Sequence, residues 1–513
     1  MKILLINPTT PDTFWGLKNA VKFIARKASL PPLGLLTIAA MLPKAWDKRL
    51  VDTNTRRLRD SDITWADYVF ITGMVIHKDS VEQIISRCKI LGRPVVAGGP
   101  LFTAAADEYG HVDHLVLNEA EITLPQFLAD LKAGTAKRIY QTEDKADLNE
   151  TPAPLWELVR MKDYASMCVQ FSRGCPFDCD FCEVTTLLGH RFRMKSTQQV
   201  LAEMQGLYEW GWRGNVFFVD DNFIGNKAAI KRELLPAIEA WMKQHDYPFS
   251  LYTQVSINLA DDAALMEAMS SAGFESVFVG IETPSEEGLQ ECRKVQNTGR
   301  DLKECVSRIQ RCGLQVQAGF ILGFDSDGPN IFDSLVQFIQ DSGIVLAMVG
   351  LLNAPRGTRL HERLAGEKRL TGEMSGNNMD CAINFLPAMG LEKLLSGYRQ
   401  VVEKLYAPGP YCQRVLTFFK NYRLPATRFR LRAAEVGAFF KSMWHIGVVA
   451  KGRRYYWRLM GWSLLRPRYL HLAVTFSIYG YHCRKIIAAI DERIEAILQE
   501  HAGAAAGLSE AGA

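Results

Sequence analysis

Phe171-Ser-Arg-Gly-Cys-Pro-Phe-Asp-Cys-Asp-Phe-Cys182 places three cysteines, Cys175, Cys179 and Cys182, in a C-x3-C-x2-C run on one short loop. Three thiolates held this way can ligate three irons of a cubane cluster, whereas an electron-transfer cluster or a structural zinc ordinarily takes four protein ligands. The missing fourth ligand leaves one iron open to a substrate or cofactor. A zinc site completed by a remote Cys or His is the alternative, although no second CxxC or HxxxH stands nearby. The mostly apolar run Met167 to Phe171 leads into the loop as a strand.

Outward from that strand, from about Tyr164 to Leu360, short apolar runs alternate with helical patterns. Six strands are expected: Met167 to Phe171, Asn215 to Val219, Phe249 to Val255, Ser276 to Ile281, Val316 to Leu322 and Leu346 to Leu352. Six strand-helix units are too few for a closed eightfold barrel, and chemistry in such folds sits at the carboxyl ends of the strands. Polar and glycine-rich motifs fall there: Asp220, Asp221 and Asn222 after the second strand, Gln254 and Ser256 after the third, Glu282 after the fourth, and Gly319 with Gly323 on the fifth. An Asp-Asp-Asn after a strand can equally be a helix cap or turn. Arg356, after the last strand, either belongs to a simple turn or closes the site.

Residues 1 to about 140 also alternate strand and helix, with five strands near Ile3, Arg49, Tyr68, Val95 and Leu115. This pattern predicts a parallel sheet covered on both faces, a Rossmann-like domain with its ligand at the carboxyl ends of the strands. The loops at those ends carry Pro32 and Gly34, Asp52, Thr72 and Gly73, Gly98 and Gly99, and Glu119. Residues 141–154 are polar and acidic and read as a linker.

The three-cysteine loop, with Phe181 just before its last cysteine, resembles the signature of the radical S-adenosylmethionine (SAM) enzymes. The resemblance implies a partial (β/α)6 barrel over residues 155–370, a [4Fe–4S] cluster on Cys175, Cys179 and Cys182, and SAM chelated at the open iron. It also implies SAM contacts from Phe181, Asp220, Asp221, Asn222, Gln254, Ser256, Glu282, Gly319 and Gly323. A Rossmann-like domain directly before such a core resembles the cobalamin-binding domain of cobalamin-dependent radical SAM enzymes, which would put cobalamin on Pro32, Gly34, Asp52, Thr72, Gly73, Gly98, Gly99 and Glu119. The D-x-H-x-x-G loop of better-known cobalamin proteins is absent, and Asn7-Pro8-Thr9-Thr10 stands in its place. Cobalt is therefore expected without a histidine lower ligand. His77 is the substitute to consider, but a lone loop histidine is more often solvated.

The whole chain of 513 residues carries a net charge of +4, which hides an asymmetry. Between Tyr411 and Ile490 there are 15 Lys and Arg against one acidic residue, Glu435. Residues 371–500 read as helical, basic and aromatic, with helices near Tyr398 to Tyr406, Tyr411 to Tyr422 and Thr427 to Ile446. Such helices suit an anionic membrane surface, where cations meet phosphates and rings sit at the boundary. Nucleic acid is a less favoured partner for the same composition, and a solvated helical cap is the bland reading. The stretch from Tyr469 to His482 is too short to span a bilayer. Residues 501–513 read as a disordered tail. Eleven cysteines at irregular spacing, and no signal peptide at Met1-Lys-Ile-Leu, point to the cytoplasm, with a peripheral place on the inner face of the membrane.

From Met1 to about Ile486 the order of parts resembles the group of cobalamin-dependent radical SAM proteins that includes the hopanoid C-2 methylases. Local matches are Gln170-Phe-Ser-Arg-Gly-Cys-Pro-Phe177 and Asp220-Asp-Asn-Phe-Ile-Gly-Asn226. The resemblance implies a methyltransferase acting on an unactivated carbon of a small-molecule or lipid substrate such as a hopanoid, fed by an electron donor such as flavodoxin or ferredoxin. The alternatives are a cyclase or oxidative enzyme on the same domains without net methyl transfer, and a non-catalytic cobalamin or iron–sulfur sensor.

Overall fold

The structure, a computed structural model, describes residues 1–424 and 433–510. Its first sheet is built from β1 (Lys2–Asn7), β2 (Asp47–Asp52), β3 (Tyr68–Thr72), β4 (Val95–Gly98), β5 (His114–Val116) and β6 (Ile139–Tyr140). All pair in parallel, in the order β2-β1-β3-β4-β5-β6. Ile3 to Ile6 are fully buried on both faces, as a strand sandwiched between helix layers requires. The chain leaves β1 toward β2 on one side and returns to β3 on the other, so the crevice of the sheet opens at the carboxyl ends of β1 and β3. The strand β6 was not anticipated. It is two residues long, too short to show a period, and exists because it extends the edge of β5.

The second sheet begins with β7 (Ser166–Val169). A hairpin of β8 (Ser172–Arg173) and β9 (Arg193–Met194) follows, and then β10 (Asn215–Phe218), β11 (Ser250–Val255), β12 (Phe274–Glu282), β13 (Gln315–Leu322) and β14 (Ala347–Leu351). The six long strands pair in parallel in strict sequence order, β14-β13-β12-β11-β10-β7, and the two ends do not meet. This is the open (β/α)6 barrel that the strand count predicts. The three cysteines lie on the loop of the β8–β9 hairpin.

Helices Leu391–Tyr406, Pro408–Asn421, Ala433–Ser442, Arg453–Leu464 and Leu470–Glu510 cover one side of the barrel. Tyr406 ties them to β14, its hydroxyl donating to Ala347 O at 2.7 Å. Arg414 is fully buried and spends its charge on Leu405 O at 2.8 Å and on the faces of Tyr406 and Tyr411. Of the helix expected over Thr427 to Ile446, residues 427–432 lie outside the described residues. The expectation of a disordered tail is corrected for residues 501–510, which continue the last helix; alanine is the best helix former and the segment is rich in it. Residues 511–513 lie outside the described residues. No helix among the described residues is long and apolar enough to cross a membrane.

The loop after β1 leaves its own sheet and reaches the barrel. The Trp15 ring stands edge-on to Phe278 of β12 at 5.1 Å, and His482 Nε2 of the last helix donates to Phe14 O at 3.0 Å.

Candidate active site

The cysteine loop is shaped by backbone contacts. Cys175 N donates to Gly189 O at 3.3 Å, Cys182 N to Cys179 O at 3.1 Å, and Asp180 N to Cys292 O at 3.1 Å. All three thiols are free and half-buried. Burial pushes all three up, Cys182 to about 12, while Lys294 pulls them back. Thiolates in this place therefore call for a cation to share their charge, and metal ligation requires the deprotonated form. Among the described residues no three His, Cys, Asp or Glu side chains converge as ligands of a single ion. A cubane asks for a different spacing, since each thiolate takes a separate iron at its own corner.

Beside the thiols lies a pair that sequence reading missed in part. Lys294 Nζ meets Glu282 Oε1 at 2.6 Å, with both side chains almost buried. Burial works against the charge of Lys294, but Glu282 and the cysteines outweigh it and raise its pKa. Glu282 ends β12 in the left-handed region at φ 68°, where the register against β13 shifts. Such a backbone is uncommon for a residue with a Cβ and is held here by its surroundings. Gly280 makes room for it: a Cβ at that position would stand 2.3 Å from Glu282 Oε1 and 2.7 Å from Lys294 Nζ. Next to the pair, Gln296 Nε2 approaches Cys179 Sγ at 3.8 Å, while its Oε1 is buried with no partner among the described residues. An acceptor orphaned beside the cysteines fits a ligand that brings an amino group.

The other expected SAM contacts divide. Asn222 and Ser256, from neighbouring strand ends, are brought together, with Ser256 N donating to Asn222 Oδ1 at 3.2 Å. Gln254 is half-exposed at the end of β11. Gly319 and Gly323 lie in and just after β13, and Phe181 stands against Phe324 at 6.4 Å. Asp220 is different. It is wholly buried, and its carboxylate accepts from the backbone N–H groups of Ser172 and Phe171 and from the Ser172 hydroxyl. This corrects its expected place in the SAM pocket: it clamps β10 to the lead-in of the cysteine loop. Burial pushes Asp220 up to about 7 against those bonds, and Asp221 up to about 6 against the pull of Arg173.

Among the positions expected to hold cobalamin, Thr72, Gly73, Gly98 and Gly99 line the carboxyl edge of β3 and β4, with Pro32 and Gly34 at the start of helix Leu33–Met41. The glycine pair is required by the protein itself. A Cβ on Gly98 would meet Val116 O at 2.4 Å, and one on Gly99, at φ +96°, would meet Thr72 Oγ1 at 2.4 Å. Gly34 faces open space. Asp52 is buried, accepting from Tyr164 OH at 2.8 Å and Asn7 Nδ2 at 3.0 Å. His77 is buried rather than solvated: Nδ1 accepts from Met74 N at 3.1 Å and Nε2 lies 3.0 Å from Thr10 Oγ1. Met74, at the same edge, is exposed.

Glu119 requires a correction. Its two oxygens are gripped by Arg193 at 2.7 and 2.6 Å, and Ala146 N donates to it at 2.6 Å, so the buried carboxylate is committed to the protein rather than to a corrin side chain. Two residues on, Glu121 takes Arg173 in the same way at 3.0 and 2.8 Å. Arg173 and Arg193 are paired across the β8–β9 hairpin. The carboxyl edge of the first sheet thereby holds the hairpin that carries the cysteines. Arg356 likewise faces Asp107, at 3.0 Å, linking the loop after β14 to the first domain. No local signal could have shown these pairs, whose members are 52 to 249 residues apart.

Residues 169–339 match the radical SAM superfamily, and residues 358–496 match a domain of unknown function, DUF4070. An uncharacterized methyltransferase of Synechocystis is 40% identical over 94% of this chain and 91% of its own length. The hopanoid C-2 methylase of Rhodopseudomonas palustris is 32% identical over 91% of this chain and 90% of its own. Among solved structures, the cobalamin-dependent SAM radical enzyme OxsB with aqua-cobalamin bound superposes with a TM-score of 0.62 at 12% identity, covering 98% of this chain and 81% of that one. At that identity the likeness speaks for the fold.

Proposed function

Because this chain belongs to the radical SAM superfamily, in the group that includes the hopanoid C-2 methylase, we propose that it is a cobalamin-dependent C-methyltransferase acting on an unactivated carbon of an apolar lipid. The observation that carries this reading is the hold of the first sheet on the cysteine hairpin through Glu119–Arg193 and Glu121–Arg173. Two cofactor sites that must exchange a substrate radical for a methyl group need a fixed separation, and these pairs supply one.

Cys175, Cys179 and Cys182 would hold the cluster. SAM would meet Lys294 and Gln296 beside it and Asn222, Gln254 and Ser256 further along the strand ends. Pro32, Gly34, Thr72, Gly73, Gly98 and Gly99 would face the cobalamin. When bound, the cluster supplies one electron to cleave SAM and cobalamin supplies the methyl group. The chain's part is position and exclusion of water: Lys294 offers a cation for a carboxylate, the orphaned Gln296 oxygen accepts from an amino group, and Asp220 fixes the cysteine loop. The half-buried lumen of the barrel is lined by Phe217, Tyr252, Phe278 and the inserted Trp15, a surface suited to an apolar substrate. The basic helical region would bring the enzyme to the inner face of an anionic membrane, where such substrates reside, and a flavodoxin or ferredoxin would deliver the electron.

The reading is tested with anaerobically reconstituted protein, SAM labelled in its methyl group and a lipid extract. Labelled lipid and 5′-deoxyadenosine are expected, and both should vanish in Cys179→Ala. SAM cleavage that leaves every lipid unlabelled would instead favour a cyclase or oxidative reaction.

A further inference from the structure

Helix Ala433–Ser442 and the π-helical turn Met443–Val449 that continues it are apolar on the outer face as well as on the face packed against the protein. The face packed on the protein carries Ala438, Ser442 and Ile446, all buried. The outer face carries Val436, Phe440, Trp444 and Val448 at steps of four, with Phe440 60% and Trp444 62% exposed. The next helix, Arg453–Leu464, repeats the pattern with Trp457, Leu464 and the following Leu465, the last 81% exposed. The two stripes adjoin: Trp457 Nε1 donates to Gly447 O at 2.9 Å, which pins the indole beside Val448. Apolar side chains exposed to this extent are costly in water, and apolar patches of this kind mark a surface that meets something else.

The surroundings say what it meets. From residue 433 to 468 seven Lys and Arg stand against Glu435 alone, and among the described residues none of the seven is ion-paired to a carboxylate. Arg453 and Arg454 spend themselves on Val448 O and on the hydroxyl and ring of Tyr455. A second copy seated on this face would set cation against cation. A nucleic acid could stack on Phe440, Trp444 and Trp457 but would leave Val436, Val448, Leu464 and Leu465, which have no ring, exposed between them. We propose that this two-helix face inserts into the headgroup and upper acyl region of an anionic bilayer, the apolar stripes below the phosphate level and Arg453, Arg454 and Arg458 at it. The proposal rests on the membrane reading above and sharpens it from surface attraction to insertion. It also sets the entrance: the inserted helix is seated on the loop after β1, with Phe23 against His445 at 5.8 Å and Lys441 donating to Lys22 O at 3.3 Å. That same loop carries Trp15 into the barrel.

The test uses the full-length reconstituted protein with vesicles of phosphatidylcholine, with and without phosphatidylglycerol. Binding to the anionic vesicles is expected to survive in part at about 0.5 M salt, where exposed charge attraction is screened within a few ångströms. The double variant Phe440→Ser with Trp444→Ser should weaken vesicle binding at least about tenfold while leaving SAM cleavage in solution unchanged. Trp444→Phe should bind as the parent does but lose part of the tryptophan quenching caused by acyl-brominated lipid. The proposal is overturned if the double variant binds vesicles as tightly as the parent, if salt abolishes all binding, or if the face instead supports a dimer or RNA binding that the double variant loses. None of these results touches the assignment of the reaction, which SAM cleavage and lipid labelling report separately.

Discussion

Arg193 grips both carboxylate oxygens of Glu119, at 2.7 and 2.6 Å, across the boundary between the two sheets. Both side chains are nearly out of solvent, 11% and 4% exposed. Breaking one partner of such a pair leaves a buried charge uncompensated, which costs about 3–5 kcal/mol, whereas replacing both by apolar groups is often neutral. Glu119→Ala should therefore destabilise the fold by about that amount in urea unfolding. Glu119→Leu combined with Arg193→Met should recover most of it. Equal loss in the single and the double variant would show that the pair is not what holds the hairpin.

Gly280→Ala tests the crowded corner beside the cysteines. The added methyl would intrude on Glu282 and Lys294 together, and the cheapest relief is to part them. SAM affinity is expected to fall about tenfold or more, with iron and sulfide content unchanged because the cysteine loop is untouched. Equilibrium dialysis with SAM, run beside iron analysis, separates the two effects.

Asp220 makes stability depend on pH in an unusual direction. Its folded carboxyl is pushed up to about 7 by burial, and the unfolded one titrates near 3.9. Between those values the folded state binds more protons, so this group's contribution is fully present below about pH 4 and is lost as the pH rises through about 7. Asp220→Asn keeps an oxygen for the Ser172 bonds and removes the titration. The urea midpoint of the parent should fall from pH 5 to pH 8 by more than that of the variant; parallel behaviour would contradict the assignment.

His77 bears on the cobalt. Both its nitrogens are engaged within the fold, and burial lowers its pKa. The Co(II) form of the cobalamin-loaded protein should show no nitrogen superhyperfine splitting, and His77→Ala should leave the paramagnetic spectrum unchanged. Splitting that disappears in the variant would make His77 the lower ligand.

The sequence alone determined the alternation of strands and helices, because apolar runs of four to eight residues report burial directly. It also determined the three-cysteine loop, because ligands on one loop are close in space for being close in the chain. The strand ends carrying Asn222, Ser256 and Glu282 were legible for the same reason: each polar motif follows its strand at once. What only the tertiary structure decided are the partners of charges. Glu119 reads as a ligand contact until Arg193, 74 residues on, takes both its oxygens, and Asp220 reads as a pocket residue until Ser172, 48 residues back, closes on it. Lys294 and Gln296 sit in a stretch without pattern and gain meaning only from their distance to Glu282 and Cys179. The outward stripe of Phe440 and Trp444 was equally hidden, since a helical period shows which residues share a face but not whether that face looks inward or out. Periodicity is local; charge pairing and the direction of a face depend on what the rest of the chain brings alongside.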